Sequence, residues 1–465
     1  MRIIKKVIFF LSICFLTVLN AQTKTFEIIP QFPKPREQFT ISYNPIATNL
    51  KNATEILGLM YIYDNFKWIV KDFSLIKTRV GTWETREQLS DHAALVCCVF
   101  YSDSEIDNGG KQTYSLIIEN SPGSYLGWAM LQAPVFQNDI PVKVDASSLV
   151  NDSVTLKRIN TEIIHYPQSR LVTFYPLLRL SKILEPTTAR EHIKSELRYV
   201  LKHSLDNLKQ YDVQKTLKLL EETKDKMFID SVQNVLVKTY PAGVLARDLA
   251  LKKIFLEPNP VLKSKAYFSF VQKFPKSEFE EVYTEAEHLY NDQIYKAIIN
   301  YSIKKDNDIS ILMNSLKELS FANLIHFSRD LISISFNSKK TSVEILKVYI
   351  LTMMPEIQAR ENYVPKEYRE KLSLNQWRKI ALQNVAPEYF SFAKIFEKLQ
   401  NYKESQRLLE KIKPEFGYKN ASFNEMYYRM LIRNEKITEA KSFFEECVKE
   451  NKVSAEMLGV AKKYF

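Results

Sequence analysis

The chain has 465 residues, 45% of them apolar, with 65 basic against 54 acidic side chains and a formal net charge of +11. That apolar content is ample for buried cores and excludes a disordered chain, and the length exceeds what one core normally serves. Lysines alternate with glutamates, as in Lys218 to Lys226 and Glu404 to Lys413, so the charge is spread over solvated helix faces. No basic tract with interleaved aromatics occurs, and nucleic acid is not an expected partner.

Residues 1–21 read as a secretory signal peptide, because Arg2, Lys5 and Lys6 precede an apolar run from Val7 to Leu19, and small Ala21 suits the position before cleavage. The run is shorter than the roughly 20 residues that cross a bilayer. No later stretch is long and uncharged enough to do so. The expectation is an exported protein, periplasmic or secreted, without a transmembrane segment once the signal is removed. Removal takes away three basic and no acidic residues and lowers the charge from +11 to +8. Leu11-Ser12-Ile13-Cys14 offers a lipoprotein alternative, against which stand bulky Ile13 and an apolar run that continues past Cys14.

Residues 22–136 read as a β-sandwich, the expected strands being Phe39 to Tyr43, with its alternating Phe39, Ile41 and Tyr43, then Ile56 to Tyr63, Lys67 to Phe73, Ala93 to Tyr101 and Thr113 to Glu119. Turn residues separate them at Asp64-Asn65, Gly81, Asp107-Asn108-Gly109-Gly110 and Ser121-Pro122-Gly123. Short strands at this spacing predict an Ig-like arrangement. Residues 137–155, polar and without helical period, read as a linker.

Over residues 156–465 apolar side chains recur three and four apart, as at Val213, Leu217 and Leu220, which predicts an all-α domain. Tyr240-Pro241 and Phe274-Pro275 lie 34 residues apart, and Ser405 and Ala440 lie 35 apart. Both distances match a tetratricopeptide-like period, most repeat-like at 387–449, and predict a solenoid of helical hairpins. An irregular hairpin array gives the same gross pattern.

Motifs of chemistry are sparse. Three cysteines remain after signal removal, Cys97, Cys98 and Cys447, and none belongs to a Cys-x-x-Cys. Cys97 and Cys98 are adjacent in an expected strand, so their side chains are expected on opposite faces and a bond between them would need distortion. They are the only redox candidates, and packing residues are the simpler reading. The six histidines show no metal-ligand spacing. Asp103 to Asn108 has the alternating acids of a calcium loop, but glycine comes one position late and Tyr114 stands where glutamate belongs, so an acidic hairpin is expected. With nine glycines and no glycine-rich turn between strand and helix there is no phosphate cradle, and no Gly-x-Ser-x-Gly elbow. No catalytic residue, cofactor or metal site is therefore assigned. Aromatic residues remain: Tyr61, Tyr63, Phe66 and Trp68 flank one turn, with Trp83 and Trp128 elsewhere. As a partner or glycan surface the candidates are Tyr63, Trp68, Trp83 and Trp128, and core packing is the commoner use of such residues.

Tyr61-Ile62-Tyr63-Asp64-Asn65-Phe66-Lys67-Trp68, Asp107-Asn108-Gly109-Gly110-Lys111, Gly127-Trp128-Ala129 and Ala133-Pro134 together resemble the N-terminal region of TlpA-like thioredoxin-family proteins of the Bacteroidota envelope. The resemblance implies a β-sandwich and a tetratricopeptide-like helical segment ahead of a thioredoxin domain. The chain stops at Phe465, where that domain is expected to begin, and the family's redox cysteines have no counterpart here. The resulting expectation is a non-catalytic envelope scaffold that binds a protein or peptide through its helical-repeat surface. The alternatives are an accessory to a thiol-disulfide system with a separate thioredoxin-fold partner, and a glycan-binding sandwich.

Overall fold

A computed structural model of the chain describes residues 24–464 apart from 104, 112, 222–224, 305–315, 317, 318 and 338–342. The expected signal peptide lies outside the described residues. An N-terminal antiparallel β region is followed by an all-helical region, as the change of pattern predicts. The described residues form two compact units, one ending at His203 and including 369–373, the other made of 204–368 and 374–464.

In the first unit the strands are β1 (Phe26–Ile29), β2 (Gln38–Tyr43), β3 (Leu57–Asp64), β4 (Lys67–Ser74), β5 (Ile76–Lys77), β6 (Trp83–Gln88), β7 (Ala93–Ser102), β8 (Glu105–Asp107) and β9 (Tyr114–Ile117). One sheet runs β1-β2-β6-β5 and the other β4-β3-β7, with β8 and β9 both paired to the remaining edge of β7. Between the sheets, Ile28, Ile41, Tyr43 and Trp83 meet Met60, Ile62, Cys98 and Phe100. Tyr43 stacks on Phe100 with ring centroids 3.9 Å apart.

The second sheet is also covered on its other face. Helices α1 (Ser124–Gln132), α2 (Asp152–His165), α3 (Arg170–Leu184) and α4 (Pro186–Val200) follow the strands in the same unit. Leu126, Ala129, Ile159, Leu177 and Leu180 pack there against Leu59, Tyr61, Tyr63, Trp68, Leu95, Cys97 and Val99. Double burial explains why β7 reads Ala-Ala-Leu-Val-Cys-Cys-Val-Phe without polar alternation, the pattern of a strand with no solvated face. The segment 137–155, polar in sequence, contributes buried Ile140 and Val142 to this same cluster. Close packing sets a steric demand at Gly127, where an added Cβ would sit 2.7 Å from the Tyr63 ring.

The longer helices of the second unit are α5 (Asn207–Glu221), α6 (Lys226–Thr239), α7 (Val244–Leu256), α8 (Pro260–Lys273), α9 (Asp292–Lys304), α10 (Phe321–Asn337), α11 (Val343–Glu361), α12 (Leu374–Lys398), α13 (Tyr402–Phe416), α14 (Ala421–Arg433), α15 (Ile437–Lys449) and α16 (Ala455–Tyr464). Two stop signals recur. Tyr240 and Phe274, each before a proline, leave helical geometry at φ −125°, ψ 70° and φ −127°, ψ 66°. Proline disfavours α conformation in the residue before it, so the helix ends there. Gln400 and Glu435 end α12 and α14 in the left-handed region, at φ 58° and 60°. The next N–H groups, of Asn401 and Lys436, reach back to Phe396 and Leu431 carbonyls at 2.9 Å, the six-to-one bond of a Schellman turn. Ser405 and Ala440 are fully buried, and Ser405 Oγ donates to the Ala393 carbonyl at 2.9 Å.

Candidate functional site

Most of the aromatic candidates are structural. Tyr63, Trp68 and Trp83 are 2%, 3% and 5% exposed and lie in the two cores of the first unit. They offer no stacking platform to a ligand. Trp128 alone among the four is half-buried, on α1.

Cys97 and Cys98 are fully buried free thiols, Cys97 on the helix-covered face of β7 and Cys98 between the sheets. Burial pushes both thiols well above their ordinary value and pushes Cys447 up to about 11. All three are held as thiols near neutral pH, the opposite of what an attacking thiolate requires. In the acidic hairpin, Asp107 accepts hydrogen bonds from Tyr43 Oη at 2.6 Å, Tyr114 Oη at 3.0 Å and the Gly109 N–H at 3.0 Å. Its oxygens thus hold the loop to the sandwich. Burial and the adjacent Asp107 carboxylate together raise both tyrosines above their usual range.

Trp128 lines an open cleft of about 750 Å³ in the first unit. Behind the cleft, a buried carboxylate positions α1: Glu162 of α2 accepts from the N–H groups of Gly123 at 2.8 Å, Tyr125 at 3.1 Å and Leu126 at 3.4 Å, and from Ser169 Oγ at 2.9 Å. The first amides of a helix lack partners within it, so this carboxylate both satisfies α1 and fixes it on α2. Gly123, at φ 93°, makes the turn that brings the chain into α1. So placed, Tyr125 and Trp128, three residues apart on α1, share the cleft with Val154, Lys157, Arg158 and Thr161, whose spacing sets them along one side of α2. Leu116 and Ile117 of β9 and exposed Phe32 add apolar lining, with Ser115 of β9 and Glu119 beside them.

The Arg158 guanidinium lies 5.7 Å from the Trp128 ring centroid and donates to Gln132 Oε1 at 2.6 Å. Partial burial without a facing carboxylate lowers its pKa from the ordinary value. Lys157 is exposed, and Glu119 stands just past the end of β9. Two cations, one carboxylate, the exposed rings of Phe32 and Tyr125 and the half-buried Trp128 make a surface suited to binding. Among the described residues no group of three or more His, Cys, Asp or Glu is placed to hold a metal ion.

Phe32, Tyr125, Lys157 and Arg158 were not legible as site residues. The available signal was Val154, Lys157, Arg158 and Thr161 at helical spacing, which sets two cations beside an exposed valine. No family model and no curated protein matches the chain. The fold defines a class: an antiparallel two-sheet β region continued by an all-helical region in which helix pairs recur.

Proposed function

We propose that this chain is an exported, non-catalytic interaction or scaffold protein of the cell envelope, which binds a protein or peptide partner through its helical-repeat surface. The observation that carries the reading is the recurrence of one helix pair: α13 and α14 are followed by α15 and α16, with starts at 402 and 437 and the same turn before each. Successive helices pack on their neighbours, and arrays built this way present a continuous side-chain surface to a partner.

The thiol-disulfide alternative draws on the resemblance to TlpA-like proteins and is weakened by the burial of every cysteine described. Glycan binding retains one supporting observation, Trp128 and Tyr125 side by side in a cleft.

The test places a photo-crosslinking residue at exposed Lys403 or Thr438, equivalent positions 35 apart, in chain 22–465. The expected result in envelope extract is one shared crosslinked protein from both positions, undiminished by reductant or by Cys97→Ser with Cys98→Ser. Crosslinking abolished by reductant would move the thiol reading to the front. No specific product at either position would remove the helical surface as a binding face.

A further inference from the structure

The edge of β9 borders the cleft and is built to accept one more strand. β9 pairs with β7 on one side only. The Ile118 N–H bonds the Ala94 carbonyl at 2.9 Å, and hydrogen-bonded pairs alternate along an antiparallel ladder, so Leu116 and Tyr114 also turn their peptide groups to Val96 and Cys98. The N–H and C=O of Ser115 and Ile117 therefore point outward. Among the described residues these groups have no hydrogen-bond partner. An unpaired edge of this kind is a template for pairing with another chain.

What lies beside the edge selects the chain that pairs. A strand added to β9 would send alternate side chains to the face that Ile117 shares with the helix-side core, where Trp128, Val154, Lys157 and Arg158 line the cleft. Lys157 and Arg158 have no carboxylate partner among the described residues, since Arg158 is met only by the Gln132 amide oxygen and the Trp128 ring. We infer that this edge binds an extended segment of a partner protein by strand addition, with an apolar side chain against Trp128 and Val154 and, two residues along, an acidic one against Lys157 and Arg158. Backbone bonds supply affinity and alternate side-chain contacts supply specificity. Glu119 beyond the strand end repels a second acidic residue there and so favours one direction for the added strand.

This adds a second surface to the binding reading above and is tested apart from it. A random phage-displayed library of short linear peptides is selected on immobilised chain 22–465, and enriched peptides are labelled and titrated by fluorescence anisotropy. The expected consensus is apolar, any residue, acidic, within an alternating segment. Ser115→Pro removes one outward N–H without touching a ladder bond and is tolerated on an edge. It is expected to weaken binding about tenfold, whereas Ser115→Ala does not. Arg158→Glu with Lys157→Glu is expected to weaken it by a similar factor and to invert the charge preference. Circular dichroism melts confirm that each variant folds. No enrichment, or enriched peptides that bind the proline and charge-reversed variants unchanged, would overturn the proposal. So would Trp128→Ala abolishing retention on a glycan array while peptide binding is absent. Crosslinking at positions 403 and 438 is expected to survive Ser115→Pro, so the two readings fail separately.

Discussion

At the scale of single residues, the buried Glu162 carboxylate holds helix α1 in place. Glu162 follows Asn160 and Thr161 in a polar stretch that reads as a solvated face, and its partners, Gly123, Tyr125 and Leu126, are 36 to 39 positions away. Glu162→Ala leaves three amides and a hydroxyl without an acceptor and is expected to cost about 3 kcal/mol, read from urea denaturation. Glu162→Gln, which keeps an acceptor, is expected to cost less. Equal losses would show that the side chain acts by volume alone. Asp248 of α7 accepts from Thr284 Oγ1 at 2.7 Å, and burial pushes its carboxyl from 3.8 up to about 6. Between about pH 4 and 6 the folded chain holds a proton that the unfolded chain has released, so stability falls as pH rises through that window and is level above it. Asp248→Asn is expected to raise Tm at pH 7.5 and to lose the advantage at pH 4. A pH-independent gain would refute the linkage. By contrast, the placement of Cys97 and Cys98 on opposite faces was legible, because strand alternation depends only on neighbours in sequence.

At the scale of elements, the legible signals were local ones. Phe39, Ile41 and Tyr43 alternate and are all buried on β2. The prolines after Tyr240 and Phe274 mark helix ends. Small Ser405 and Ala440 sit where helices meet. The Schellman turns at Gln400 and Glu435 were not legible, because the residue type usual there is glycine and the chain uses long polar side chains instead. That choice leaves strain in place. Gln400→Gly and Glu435→Gly are each expected to stabilise the second unit by roughly 1 kcal/mol, seen as a higher Tm. A fall would show that the native side chains make a contact worth more than the strain. Helix α1 is weakly marked in the sequence for another reason: only nine residues long, it holds its place through Glu162 and Tyr63 more than through its own pattern.

At the scale of the whole molecule, the order of β then α could be read from glycine content and apolar period, whereas the limits of the compact units could not. Residues 156–203 share the apolar period of the helices after them, yet Ile159, Leu177 and Leu180, with Ile140 and Val142 from the segment before, close the outer face of a sheet whose last strand ends at Ile117. Only the uninterrupted apolar run of β7 hinted that such a cover was needed. The same strand gives the molecule an internal gauge. Its backbone is paired on both edges, and both its faces are dry over Ala93 to Phe100. No small fluctuation can wet the amides of Val96 to Val99 without dismantling both layers around them. Deuterium uptake there is expected to follow only the complete opening of the first unit and to be the slowest in that unit. Measured peptide by peptide, it would report the stability of that unit on its own, without cutting the chain.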